Sequence, residues 1–425
     1  MSYLLNLVYL LLVVIFSPWL IFSAIRKGKY REGWGAKLFG RVPLREEEGR
    51  CIWLHAVSVG EVNVLAPLLM RLEQQHPQWV CVISTTTKTG FDLARKKYAP
   101  RSVFYCPLDF SWSVRRAMRR IRPDLLVLAE LELWPNLIHA AKRRGAKVAV
   151  INGRLSDHSV RGYRRIRPLV GKLLRTVDLV AVQNQEYAHR FVELGAREQS
   201  VHVTGSMKFD GAQTDRNNSK TQELAKLACI SAADVVFLAG STQEPEEALA
   251  LDTYRQLADE YSRLRLIVTP RHPERFGEVA DLLSQSGIPW QRRSELVANG
   301  PASDARVLLV DVVGELGAWW GTAHIAYVGG SMGKRGGQNM IEPAAYAAAV
   351  AFGPNTRNFR DIVAMMLDRD AAVVVQDGRQ LTSFVRRCLD DPKYASRLGR
   401  QAQQLVLEQA GAADGTSAMI AALMV

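Results

Sequence analysis

The chain has 425 residues, 48% of them hydrophobic and 23% charged, and its 55 Lys+Arg against 42 Asp+Glu give a formal charge of +13. This composition excludes collagen-like, coiled-coil and disordered chains, and the length predicts two or three domains rather than one. The cationic excess favours polyanions, anionic lipid surfaces or phosphorylated substrates without choosing among them.

In chain order, residues 1–25 carry no charge. As a helix they would extend about 37 Å, enough for a hydrocarbon core of about 30 Å, so they predict one membrane anchor. The basic juxtamembrane segment 26–45 follows with Arg26, Lys27, Lys29, Arg31, Lys37 and Arg41. The positive-inside rule then places the rest of the chain in the cytoplasm. A cleaved signal peptide is the competing reading, but no Lys or Arg precedes the apolar run. Ser17 and Pro18 leave open an interfacial helix that lies on the bilayer rather than spanning it. The five cysteines, Cys51, Cys81, Cys106, Cys229 and Cys388, form no C-x-x-C pair and no zinc spacing, and they read as reduced thiols buried in a cytoplasmic protein.

Beyond residue 45, short continuous apolar runs alternate with helical stretches, the pattern of parallel α/β units with both sheet faces covered. Strands are predicted at 51–57, 79–84, 102–106, 124–129, 147–151, 178–182 and 201–204. The polar stretch 205–223 marks a boundary. Alternation restarts with strands at 235–239, 264–269, 306–310, 324–328, 349–352 and 372–375. The expected architecture is α/β: two Rossmann-like doubly wound domains, 46–212 and 223–425, facing a cleft, with ligands at the carboxyl ends of the strands.

Five stretches carry chemistry. HAVSVGE (55–61) puts Glu61 in the first turn of a helix after a buried strand, where the macrodipole favours an ionised carboxylate suited to take a proton from a hydroxyl; an ordinary helix-start acid would look the same. In AELELWPN (129–136) strand alternation would send Glu130 and Glu132 to one face, to meet a substrate or to pair with arginines of RRAMRRIR (115–122). VTGSMKFD (203–210) offers Lys208 to an anion. VTPRHPERF (268–276) delivers Arg271 to a strand end, where its planar guanidinium suits phosphate or a pyrimidine carbonyl.

The glycine-rich VGGSMGKRGGQNMIEPAA (328–345) follows a strand and predicts an Ala-rich helix from about Asn339, whose exposed N–H groups would bind an anion, with Glu342 one turn in to accept from ribose hydroxyls. It fits neither the P-loop nor the dinucleotide spacing. The only D-x-D, Asp368 to Asp370, reads as a solvated loop rather than a metal clamp. Finally, 142–175 holds eleven Lys+Arg against Asp157, a net +10. Its single aromatic, Tyr163, argues against nucleic acid and for an anionic membrane surface.

Together HAVSVGE, ELELWPN, INGRLSDHS, VTGSMKFD, PRHPERF, VVGEL and GGQNMIEPAA resemble the Kdo (3-deoxy-D-manno-octulosonic acid) transferases along nearly the whole chain. The resemblance implies a membrane-anchored, inverting GT-B glycosyltransferase that moves Kdo from CMP-Kdo to a tetraacyl lipid A precursor with no bound metal or other cofactor. It implies Glu61 as the base, Glu130 and Lys208 as transition-state supports, and CMP contacts from Pro270, Arg271, Val313, Gly314, Glu315, Asn339, Met340, Ile341 and Glu342. Gln243 and Gln338 depart from the pattern, standing where members often carry His. Two rival readings are a GT-B enzyme of another nucleotide sugar and a catalytically silent lipid-binding adaptor.

Overall fold

The computed structural model describes residues 2–27, 32–302 and 304–424; Lys29 and Arg31 of the basic segment lie outside them. The chain divides into two compact units, Met1–Gly211 with Gln409–Val425, and Ala212–Glu408.

The sheet of the first unit contains β1 (Cys51–His55), β2 (Val80–Thr85), β3 (Val103–Tyr105), β4 (Leu125–Ala129), β5 (Lys147–Gly153), β6 (Leu179–Val182) and β7 (Val201–Val203). Its order is β3-β2-β1-β4-β5-β6-β7, with every adjacent pair parallel. The apolar runs are continuous because successive residues feed opposite cores. Cys51 and Trp53 point into one cluster with Val114 and Ile138, whereas Ile52 and Leu54 join the other with Leu65 and Leu68.

The second unit repeats the plan with β8 (Val235–Thr242), β9 (Leu264–Pro270), β10 (Trp290–Arg292), β11 (Val307–Leu309), β12 (Ile325–Val328), β13 (Ala349–Phe352) and β14 (Val373–Val374). The order is β10-β11-β9-β8-β12-β13-β14, again parallel. β10 is not among the expected strands, because this three-residue edge strand is only half-buried and has no apolar run. Each sheet reverses its strand order once, between β1 and β4 and between β8 and β12. Loops leaving the carboxyl ends of those strands border the crevices where α/β sheets bind ligands.

Two features differ from expectation. The second unit does not run to residue 425: residues 409–425 return to the first unit. There the helix Ala412–Met424 buries Ala412, Ala413, Ile420 and Met424 in the core containing Val62, Leu65 and Leu69. Asp210 fixes the return by accepting from the N–H groups of Gly411 and Ala413. At the other terminus, residues Ser2–Lys27 form one helix of 26 residues. Asn6 exchanges hydrogen bonds with Ser111, and the Tyr9 hydroxyl donates to Asp109 at 3.1 Å. Leu10, Leu11, Val14 and Ile15 are exposed. Among the described residues, no helix is long and apolar enough to cross a membrane, so the expected anchor finds no support there.

Candidate functional site

In the first unit the residues that matter leave β1 and β4. Ser58 caps the helix Val59–Gln75 by accepting from the Glu61 N–H. The Glu61 carboxylate reaches back to accept from the Ser58 hydroxyl at 2.8 Å and the Val57 N–H at 2.9 Å. This is the S-x-x-E pattern of a reciprocal helix start, so the capping role and a place at the switch point coexist in one residue. Glu61 is only 9% exposed. Burial raises its proton affinity, the Val57 and Ser58 donors oppose that, and Glu130 adds to it.

The two glutamates after β4 are not arranged by strand alternation. The strand ends at Ala129, and Glu130 adopts the left-handed region at φ +55, a conformation costing about 1–2 kcal/mol for a side chain of this kind. Its N–H still bonds Ile151. Glu132 then turns inward and accepts from the Trp134 indole N–H at 2.9 Å. Burial first, then the Glu61 charge, pushes its carboxyl up to about 7, Trp134 opposing and Glu130 adding a smaller push. Among the described residues no ion pair joins Glu132 to the arginines of 115–122, of which Arg115 bonds Ser111, Arg120 the Val42 carbonyl and Arg122 the Arg45 carbonyl. The first-unit site is therefore a cluster of carboxylates in which at least one is held near neutral pH.

Asp109, which sequence reasoning did not single out, anchors the segment that follows the glutamate loop. It is 4% exposed and accepts from the N–H groups of Asn136 and Leu137 at 2.9 and 2.8 Å. It thereby pins the helix Pro135–Arg143 that directly follows the glutamate loop, and burial pushes its carboxyl up to about 6. Lys208 lies in the turn after β7, two residues before Asp210.

In the second unit the expected residues lie in the loops after β9, β11 and β12, where Asn339, Glu342 and Arg271 interact. Asn339 donates through its side-chain amide to Glu342 at 3.0 Å and accepts from the Ile341 N–H. Burial raises the Glu342 proton affinity, while Asn339, Arg271 and Trp320 act against it. Arg271 is exposed at the end of β9, its N–H bonded to the Thr242 carbonyl. Pro270, Met340 and Ile341 are buried, so they shape the site through backbone and bulk.

Val313 is 73% exposed and Gly314 takes φ +94. Glu315 is held in a two-pronged pair with Arg293 at 2.8 and 2.9 Å and also accepts from Trp319. Gln243 and Gln338 meet here: their side-chain amides lie 3.6 and 3.1 Å from where a Cβ on Gly330 would sit. Two hydroxyls the sequence did not flag, Thr242 Oγ1 and Thr269 Oγ1, are buried without a partner at the same strand ends.

The helix after the glycine-rich turn is shorter than the sequence suggested. It spans only Ile341–Ala345, because Ala347 turns left-handed and the chain enters β13. At the expected anion site the Ile341 N–H is bonded to the Asn339 side chain, and in the turn ahead of it the amides of Gly330, Ser331 and Met332 are bonded to Glu246. Asp368 and Asp370 are exposed around the end of the helix Arg360–Asp368. Among the described residues, no group of three or more His, Cys, Asp or Glu is arranged to hold a metal ion.

Residues 32–211 match the family model described as 3-deoxy-D-manno-octulosonic-acid transferase (kdotransferase). Over 397 residues, covering 92% of this chain and 91% of the relative, the chain is 32% identical to the 3-deoxy-D-manno-octulosonic acid transferase of Haemophilus influenzae. The chain belongs to the Kdo transferase family. A second member, from Bordetella pertussis, is 30% identical over 410 residues, 94% of either chain. The resemblance carried by the seven motifs is thus borne out, and the chain is a glycosyltransferase.

Solved structures outside the Kdo transferases share the fold alone. A glycosyltransferase from Rickettsia africae superposes with TM-score 0.57 at 11% identity over 89% of this chain and 99% of its own. A UDP-GlcNAc 2-epimerase from Neisseria meningitidis gives TM-score 0.57 at 14% over 85% and 99%. The two parallel-sheet units are therefore those of GT-B-like enzymes. Within the Kdo transferase frame, Glu61 and Glu130 fall on the first unit's switch-point loops, and Arg271, Asn339 and Glu342 gather at strand ends of the second.

Proposed function

We propose that this enzyme transfers Kdo from CMP-Kdo to a lipid A precursor, lipid IVA, in lipopolysaccharide assembly, with inversion and without a metal. The observation that carries the mechanism is the state of Glu61: a nearly buried carboxylate at a strand's carboxyl end, its proton affinity raised by burial. A base works best when its pKa approaches the working pH.

An acceptor hydroxyl attacks the anomeric carbon of Kdo and gives its proton to Glu61. The bond from that carbon to the CMP phosphate oxygen breaks, and CMP leaves with the electron pair. Glu130 and Lys208 support the transition state. Pro270, Arg271, Val313, Gly314, Glu315, Asn339, Met340, Ile341 and Glu342 hold the CMP, and the positive charge of Lys208 and Arg271 meets the departing phosphate.

Membrane attachment belongs to the same reading. The uncharged segment 1–25 anchors the chain at the inner membrane with the catalytic units on the cytoplasmic side, and the exposed apolar side chains of the first helix support this. The basic stretch 142–175 meets anionic lipid. Support comes from Arg161, Arg165 and Arg167, exposed beside the exposed Ile166 and Leu169, each basic residue contributing about 1 kcal/mol near such a surface.

Purified enzyme incubated with CMP-Kdo and lipid IVA should yield a product heavier by one or more Kdo residues, read by mass spectrometry. Glu61→Gln should stay folded and bind CMP-Kdo while losing about 10²- to 10⁴-fold in turnover. Comparable turnover in that variant rules out Glu61 as the base.

A further inference from the structure

The glycine-rich turn after β12 leads into the segment at Asn339 where the sequence predicts an anion site. In the structure its amides converge on a side chain of the protein itself. Glu246 is 1% exposed at the start of the helix Glu246–Leu257. Its Oε1 accepts from the Ser331 N–H at 2.8 Å, the Met332 N–H at 2.9 Å and the Tyr327 hydroxyl at 3.0 Å. Its Oε2 accepts from the Gly330 N–H at 2.6 Å and the Gln243 N–H at 2.9 Å. Five neutral donors meet one carboxylate, which has about four lone-pair sites to offer.

Consecutive backbone N–H groups of this kind form a concavity for anions. Here the anion is supplied from the segment after β8, so the contact bridges the point where the strand order reverses. The fit is tight. A Cβ on Gly329 would lie 2.6 Å from the Thr242 Cα and 2.8 Å from the Glu246 Oε2, which explains glycine at that position. Ser331 is locked in turn, donating to the Val328 carbonyl at 2.7 Å and accepting from the Gly353 N–H at 2.8 Å. The turn then passes its geometry on. Gly337 N–H bonds the Gly330 carbonyl at 2.8 Å, and two residues later begins the Asn339–Glu342 pair.

We propose that Glu246 is a positioning residue of the donor site. Its carboxylate acts as an internal anion that fixes Gly330–Met332, sets the Gln243 and Gln338 amides around Gly330, and so places Asn339 and Glu342 for the nucleotide. This rests on the reading that the second unit takes the CMP-linked donor. A group that served stability alone would leave ligand affinities untouched in any variant that stays folded.

The test uses the full chain in detergent, with CMP as the calorimetric probe and CMP-Kdo as substrate. Glu246→Gln turns an acceptor oxygen into a donor amide facing N–H groups. It should weaken CMP binding and raise the KM for CMP-Kdo at least about tenfold, the scale of losing a charged hydrogen-bond partner. The KM for the lipid acceptor should not move, and kcat should change less than the KM for CMP-Kdo. Hydrogen exchange at 330–332 should accelerate while the cores of β8 and β12 stay protected. Glu246→Asp, which restores the charge one methylene short, should recover part of the affinity.

A folded Glu246→Gln that binds CMP as tightly as the wild type overturns the inference. If that variant does not fold, Tyr327→Phe, which removes one donor, decides: a severalfold loss of CMP affinity supports the inference and unchanged affinity overturns it. A wild-type chain that binds no CMP overturns the donor reading and this inference with it, whereas an unaffected variant beside a binding wild type overturns the inference alone.

Discussion

Replacing Glu132 with glutamine should make the protein more stable at pH 8 and leave it nearly unchanged at pH 5. The cause is burial in the loop after β4, with the Glu61 charge second: together they push the Glu132 carboxyl from 4.5 up to about 7. The native state holds this proton more tightly than the unfolded chain does. Stability is therefore fullest below the unfolded value of 4.5 and falls as pH rises through about 7. The full displacement corresponds to about 3.4 kcal/mol. Glu132 is only partly buried, and screening by solvent reduces the cost of ionisation to about 1–2 kcal/mol. Glutamine carries no charge and escapes that cost. For a unit of this size the gain is about 2–8 °C in the unfolding midpoint at pH 8. Calorimetric scans of both proteins at pH 5 and pH 8 measure it, with the other titrating groups common to both. An equal difference between the two proteins at both pH values would refute the argument, because it would mean that Glu132 ionises normally in the fold.

Two further outcomes follow from the packing. Gly240→Ala should destabilise the second unit by about 1–3 kcal/mol, because the new Cβ would lie 2.4 Å from the Trp320 ring, itself 1% exposed; the urea midpoint reads it, and an unchanged midpoint would show that the ring can retreat. Deleting residues 1–25 should release the protein from membranes while transfer to detergent-solubilised acceptor survives. The loss of the Asn6 and Tyr9 bonds should cost about 1 kcal/mol each. Fractionation and product analysis test this, and complete unfolding would mean the segment is core.

Much of the second unit's site was legible locally. Arg271 follows an apolar run and stands between Pro270 and Pro273, and Asn339 and Glu342 follow a run of glycines, so strand end and turn are written into neighbouring residues. The roles of Glu246 and Asp109 were not. Glu246 bonds amides 84 to 86 positions away, and nothing in EPEEAL distinguishes an internal anion from an ordinary helix-start acid. Asp109 bonds the start of a helix 27 residues on. The positive φ of Glu130 was equally hidden, since it arises where β4 stops pairing while its N–H still reaches Ile151.

By itself the sequence determined the layered parallel architecture, because continuous apolar runs are stable only when both faces of a strand are covered. It also determined the family, through motifs whose order needs no coordinates. Only the tertiary structure decided which charges live beside one another. It returned residues 409–425 to the first unit, gathered Glu61, Glu130 and Glu132 closely enough to hold a proton near neutral pH, and filled a glycine-rich amide nest with Glu246. The physical reason is range: hydrophobic periodicity is a local property of the chain, whereas desolvation and hydrogen-bond saturation depend on residues that meet only after the sheet has closed their neighbours in.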